Sequence, residues 1–197
     1  LIGVTTTYFN EESTVLSGID YGLSTVKSFF NGEFELILQG TNLIEFLTPE
    51  QSENGITMIN RVGKHNFDAH THSLPKNRIN TFINFKKNKS KYSLIARYLD
   101  GYINNRTISS KALSLGYKNK VDSSLIFDIS LELPISQYLQ INNNSGDYDL
   151  KTSIGIINLF DEKAPRLYNA PDFSWDSRLH DPRGRMIRVN FQLIFNN

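Results

Sequence analysis

The last strand-like segment of this chain alternates apolar and polar residues almost without a break. Between Gly184 and Phe195, one phase carries Ile187, Val189, Phe191, Leu193 and Phe195. The other carries Arg188, Asn190 and Gln192, with Ile194 the exception. A period of two sends successive side chains to opposite faces of a sheet. At about twelve residues the segment is roughly twice the usual strand length, and it meets the roughly 9–11 residues that a tilted strand needs to cross a bilayer. It pairs naturally with Leu150–Phe160, across a polar loop from Asp161 to Arg183.

The same alternation recurs along the chain. Strands are expected at Ser17–Lys27, Glu33–Leu47, Arg78–Lys86, Lys91–Tyr102 and Val121–Leu133, with a further one at Leu1–Phe9. The Asn31-Gly32 dipeptide predicts a tight hairpin, and Lys87–Ser90 predicts another. Thr48–Pro75 reads as a long polar loop, Ile103–Lys120 and Pro134–Tyr148 as further connections. Connections therefore run short, long, short, long, medium, long. Short turns at one end and long loops at the other are the layout of an outer-membrane barrel.

Composition limits the alternatives. The 197 residues carry a net charge of +1, which gives no ground for nucleic-acid binding. There is no cysteine, so disulfide and thiol chemistry are excluded. No run of about 18 apolar residues offers a membrane helix. A barrel escapes hydropathy averages, here -0.34, because its strands alternate. The chain starts at Leu1 without a Met or a basic leader segment, and the expectation is a fragment of a longer protein.

Aromatic residues sit near the ends of these strands. Phe34, Phe85, Tyr92 and Phe195 fall at the short-turn end; Phe46, Tyr102 and Phe160 fall at the long-loop end. By parity each lies on its strand's apolar face, the arrangement of two aromatic girdles. On the opposite phase lie Glu35, Gln39, Arg78, Arg97, Asp128 and Arg188, expected to face a polar lumen.

Nothing in the chain assembles a reaction centre. His70-x-His72 lacks the further ligands of a metal site. Asp172, Asp176 and Asp181 do not have EF-hand spacing. No G-x-S-x-G elbow is present, so no catalytic residue, metal or cofactor is expected. Two glycosylation sequons, at Asn88 and Asn105, are incidental in a bacterial barrel.

In order and spacing, several segments resemble the C-terminal part of TonB-dependent outer-membrane receptors. Ser17–Leu23 (SGIDYGL) is similar to the family's "sGvDl.l" strand, and Leu74–Ile79 (LPKNRI) to its "lPkwR" start, with Asn77 in place of tryptophan. Ala96–Tyr102 (ARYLDGY) resembles "aRyvdgY", and Val121–Leu131 (VDSSLIFDISL) resembles "vdsy..vDl.l". Gly155–Pro165 (GIINLFDEKAP) is close to "gv.NLfDe.PP", and Asp181–Phe191 (DPRGRMIRVNF) to the closing "D..GR...v...y.f". Two asparagines follow Phe195, where that family's barrel ends on its aromatic residue.

The resemblance implies an all-β, antiparallel transmembrane barrel, of which residues 1–197 supply seven or eight of about 22 strands. It implies uptake of a scarce nutrient (a siderophore, cobalamin, haem or oligosaccharide) across a Gram-negative outer membrane. Its partners would be outer-membrane lipid, a plug domain and the remaining strands. The inner-membrane TonB–ExbB–ExbD complex would act through an N-terminal part outside this chain. Arg61, His65, His70, Tyr168, Trp175, Arg178 and His180, all in the long loops, are then expected to line a ligand vestibule, because aromatic and basic groups suit anionic chelates and sugars. The alternatives are a complete eight-stranded outer-membrane barrel and a soluble β-sandwich binding module.

Overall fold

Two-residue turns with both central φ angles positive begin the construction. Phe30 and Asn31 (φ 46° and 57°) join β1 (Val15–Phe29) to β2 (Gly32–Ser52). Asn88 and Lys89 (φ 48° and 64°) join β4 (Asn77–Lys87) to β5 (Ser90–Leu99). This is the type I′ geometry that matches strand twist. The first turn lies one residue earlier than its Asn-Gly signal suggests: Phe29 already pairs with Gly32. Gly32 has a separate reason to be glycine, since a Cβ there would meet Phe85 ring carbons at 2.7 Å.

A computed structural model describes residues 13–66, 72–138, 148–168 and 174–195. Leu1–Phe9, His70, Asp172 and the Phe195 side chain lie outside the described residues. The remaining elements are β3 (Gly55–Asn60), β6 (Tyr102–Ile103), helix α1 (Ser110–Ser114), β7 (Lys120–Val121), β8 (Ser124–Pro134), helix α2 (Ile135–Tyr138), β9 (Tyr148–Ile157) and β10 (Met186–Phe195).

The protein is all-β and antiparallel. Eight strands form one sheet in the order β1-β2-β4-β5-β8-β9-β10, with β3 paired to the far end of β2. The sheet is open: β1 and β10 are its two edges. Thr48–Pro75 is not a loop throughout, because β2 runs on to Ser52 and folds back as β3. The overlooked signal was a second Asn-Gly dipeptide, Asn54-Gly55, with Gly55 at φ 112°.

Register turns the alternation of single strands into two continuous faces. One row runs Lys27, Phe34, Phe85, Tyr92, Leu131, Ile154 and Val189; the next runs Leu36, Ile83, Leu94, Ile129, Ile156 and Ile187. A one-residue slip in any strand would mix the faces. The apolar face is bare. Ile187 is 72% exposed and Phe191 71%, and among the described residues no second layer covers them.

The opposite face holds Glu35, Gln39, Arg78, Arg97, Asp128 and Arg188, three of which (Glu35, Arg97 and Asp128) have side-chain partners. Asn84 Nδ2 donates to Glu35 at 2.8 Å and Ser93 Oγ to Asn84 at 2.7 Å. Arg97 meets Asp128 at 2.8 Å. Gln39 and Arg78 stand in register with Asn80 and Thr41, and Arg188 with Gly155.

Tyr21 lies over Gly40 of the neighbouring strand, where a Cβ would collide with its ring. An aromatic covering a cross-strand glycine is a known device for pinning register. Gly40→Ala is expected to cost about 1–3 kcal/mol through overpacking, read from the urea midpoint. Removing the ring as well, in Tyr21→Ala/Gly40→Ala, should recover part of the loss, giving a non-additive cycle.

At the short-turn end, three of the expected aromatics stand in one row. Phe34, Phe85 and Tyr92 are register partners, and the Phe85 and Tyr92 rings are 6.1 Å apart. At the long-loop end two of the three, Phe46 and Tyr102, depart from expectation. Phe160 is exposed, edge-on to Phe127 at 5.5 Å. A bulge between Ser17 and Gly18 resets the alternation, so Phe46 pairs with Leu16, in the phase of Gly18 and Asp20. Tyr102 is not a belt residue at all: it is 2% exposed, inside a small core formed by the loops.

Candidate functional site: the loop crown

All three long connections emerge at one end of the sheet and are tied together there. Backbone bonds join Gly63 and His65 to Ile103 at 2.8 and 2.9 Å. Asn66 N donates to Asn105 Oδ1 at 2.9 Å, and Asn104 Nδ2 to the Tyr168 carbonyl at 2.8 Å. The paired Tyr102 and Val121 pack with Leu167 into its apolar centre, with Leu179 against them.

Asp176 is the polar centre. It is 4% exposed. Its carboxylate accepts from Ser73 Oγ and, at 2.9 Å, from the Tyr102 hydroxyl, while Arg178 N donates to it at 3.1 Å. His65 Nδ1 lies 3.5 Å away and 2.8 Å from Ser73 Oγ. Burial alone would raise this carboxyl, but donation from His65, Ser73, Arg178 and Tyr102 holds it well below the usual carboxylate range. Burial first, and then the charge of Asp176, push the Tyr102 phenol above its ordinary value. The ring of Tyr102 lies between two imidazoles, His65 at 6.5 Å and His180 at 6.4 Å. Burial lowers His180 below its ordinary value, which Asp176 only partly opposes.

Ser73, His65 and Asp176 form no acyl-transfer triad. Serine and aspartate both sit at Nδ1 of the histidine, whereas a triad places them on its two different nitrogens. Among the described residues no group of three His, Cys, Asp or Glu side chains is placed to hold a metal.

Three of the expected vestibule contacts are therefore corrected. His65 and His180 are buried in the crown's interior. Arg61 is buried too, donating to Thr48 Oγ1 at 2.8 Å and to Glu50 at 2.6 Å. Polar loop composition suggested exposure, but Arg61 spends its donors on Thr48 and Glu50, His65 Nδ1 is bonded to Ser73, and His180 packs against the ring of Tyr102. Arg178 remains exposed, 3.0 Å from His72 Nδ1. Trp175 and Tyr168 are half-buried.

Tyr168 leads to a surface that the sequence did not reveal. Its ring lies 5.3 Å from that of Tyr117, beside a depression of about 500 Å³ also lined by Lys118, Lys120, Asp122 and Arg166. The depression lies where α1, capped by Ser109 Oγ accepting from Ala112 N at 3.2 Å, gives way after Leu115 to Gly116 at φ 84° and the exposed Tyr117.

The remaining crown contacts are made by turn residues. Asn158 (φ 55°) exchanges bonds with Glu162 at 2.8 and 2.9 Å, and its N–H donates to Asp128 at 2.8 Å. Asp161 Oδ1 accepts from Arg185 N at 2.9 Å across the β9–β10 connection. Arg183 grips Asp181 and lowers that carboxyl to about 2. No family model, no curated protein and no solved structure matches the chain.

Proposed function

We propose that this chain is part of the wall of a TonB-dependent outer-membrane receptor, with the crown as part of its ligand vestibule. The observation that carries the reading is the bare apolar face, continuous in register over seven strands and backed by a polar face. In water such a face needs a second layer; in a bilayer, hydrocarbon covers it. The open edges support the same reading. Within hydrocarbon each unpaired backbone group costs several kcal/mol, so β1 and β10 require further strands beside them. Ligand would bind at the crown and pass along the polar face, with the energy-coupling complex acting on a plug. Tyr117, Tyr168, Lys118, Lys120 and Arg166 suit an anionic, partly aromatic or sugar-like ligand.

The absence of cysteine makes the test direct. Single cysteines placed at positions 187 to 193, in reconstituted protein carrying a nitroxide, should alternate. Ile187, Val189, Phe191 and Leu193 should be open to oxygen dissolved in lipid, with Arg188, Asn190 and Gln192 closed to it. Uniform access of a water-soluble quencher would exclude the membrane reading. Nutrient uptake that persists when the energy-coupling complex is deleted would exclude the transport mechanism.

A further inference from the structure

We infer that the short-turn end of the apolar face holds an anionic glycerophospholipid; the inference rests on the membrane reading above. The β4–β5 turn and its flanks read Lys86-Lys87-Asn88-Lys89-Ser90-Lys91. Register divides these cations between the faces. Lys86 and Lys91 fall on the polar face, where Lys86 meets Glu33 at 3.2 Å and Lys91 stands opposite Glu132. Lys87 continues the apolar phase of Phe85, opposite Ser90, and Lys27 stands on that same face beside Phe34. Lys89 lies in the turn itself. Lys27, Lys87 and Lys89 are exposed, and the described residues place no carboxylate against them.

On the same face, next to the turn that carries Lys87 and Lys89 and two strands away from Lys27, lies a depression of about 450 Å³, almost wholly apolar in its lining. Ile83, Leu94, Ile129, Leu131, Ile154 and Ile156 form its floor, and Phe85 and Tyr92 its rim towards the turn. An acyl chain fits the floor. A phosphate at the rim meets ammonium groups that reach up past the aromatic row, as long cationic side chains do at a membrane surface. Lys27 and Lys87 belong to strands two apart, roughly 10 Å, a span that one headgroup can bridge. The selectivity is for net negative charge: a zwitterionic headgroup brings its own cation to the same place.

The test uses the full chain in detergent, incubated with equal amounts of phosphatidylglycerol and phosphatidylcholine of identical acyl chains and weighed by native mass spectrometry. Attraction near a membrane surface corresponds to about fivefold per lysine. Phosphatidylglycerol should be retained at least about fivefold over phosphatidylcholine, and the triple change K27Q/K87Q/K89Q should bring the ratio to about one. The double change K86Q/K91Q, of the same residue type on the other face, should leave the ratio within about twofold. Equal retention of the two lipids by the parent chain, or equal loss in both variants, overturns the proposal. If the nitroxide alternation along β10 is present while lipid selectivity is missing, this inference alone falls. If the alternation is missing, both fall.

Discussion

Asp176→Ala is expected to be the most damaging single substitution in the crown, costing about 3 kcal/mol of local stability. The change leaves the buried Tyr102 hydroxyl without its acceptor, leaves Ser73 Oγ with only the His65 carbonyl to donate to, and removes the charge facing His65. Amide hydrogen exchange should show it locally. The N–H groups of His65, Ile103 and Leu167, which close the crown, should lose protection by about a hundredfold, while those of β4 and β5 keep theirs. Asp176→Asn retains one accepting oxygen and should cost roughly 1 kcal/mol.

The pH dependence follows from two signs. Asp176 has a depressed folded value, so its contribution is complete above the unfolded carboxylate value, about 3.9, and is lost as pH falls through the folded one. His180 is also depressed, but as a base it favours opening once pH drops below its ordinary value of 6.5. The crown should weaken in two steps, a mild one below pH 6.5 and a steep one in strong acid, and Asp176→Asn should lack the second.

Ile129→Arg is expected to destabilise the protein in lipid by about 2–4 kcal/mol, the cost of a guanidinium at the lipid-facing midplane of a barrel. Ile129 is central in β8, between Leu94 and Ile156 on the apolar face. Its neighbour Ser130 points to the other side, between Ser93 and Gly155, and Ser130→Arg should change stability by less than about 1 kcal/mol. Urea unfolding from vesicles measures both. A soluble sheet would reverse the order, since a charge on a bare apolar face would improve its solubility at little cost. The pair therefore tests the environment of each face rather than the packing of one residue.

Strand identity and facing were legible in the sequence because they depend on a period of two and on short turns, both local properties. The six polar-face residues, and the row of Phe34, Phe85 and Tyr92, follow from that period alone. What failed was parity carried across an irregularity: the bulge at Ser17/Gly18 shifts Phe46, and Tyr102 belongs to a two-residue strand of the crown. The crown itself was opaque. Arg61, His65 and His180 have the composition of surface loop residues, and only contacts over long sequence separations make them interior ones. Asp176 belongs to an acidic loop cluster without cation-site spacing, which reads as solvated loop charge, and nothing local tells that reading from a hydrogen-bond centre. The residues that resemble family motifs, among them Arg97, Asp128, Asn158, Asp161 and Gly184, became intelligible as tie points once strands from distant parts of the chain met. The hollow beside Tyr117 had no sequence signal beyond two tyrosines and three scattered cations.

The Ser73–Asp176 bond joins residues 103 positions apart. Closing so long a segment costs entropy that only prior structure can reduce. Asp176 arrives between β9 and β10, the last hairpin of the meander, so the crown cannot close until that hairpin has docked on β8. Assembly therefore has an order, sheet first and crown last. A chain stalled before its final hairpin would carry a formed sheet under open loops, and a conformation-specific antibody to the closed crown would report completion of the fold.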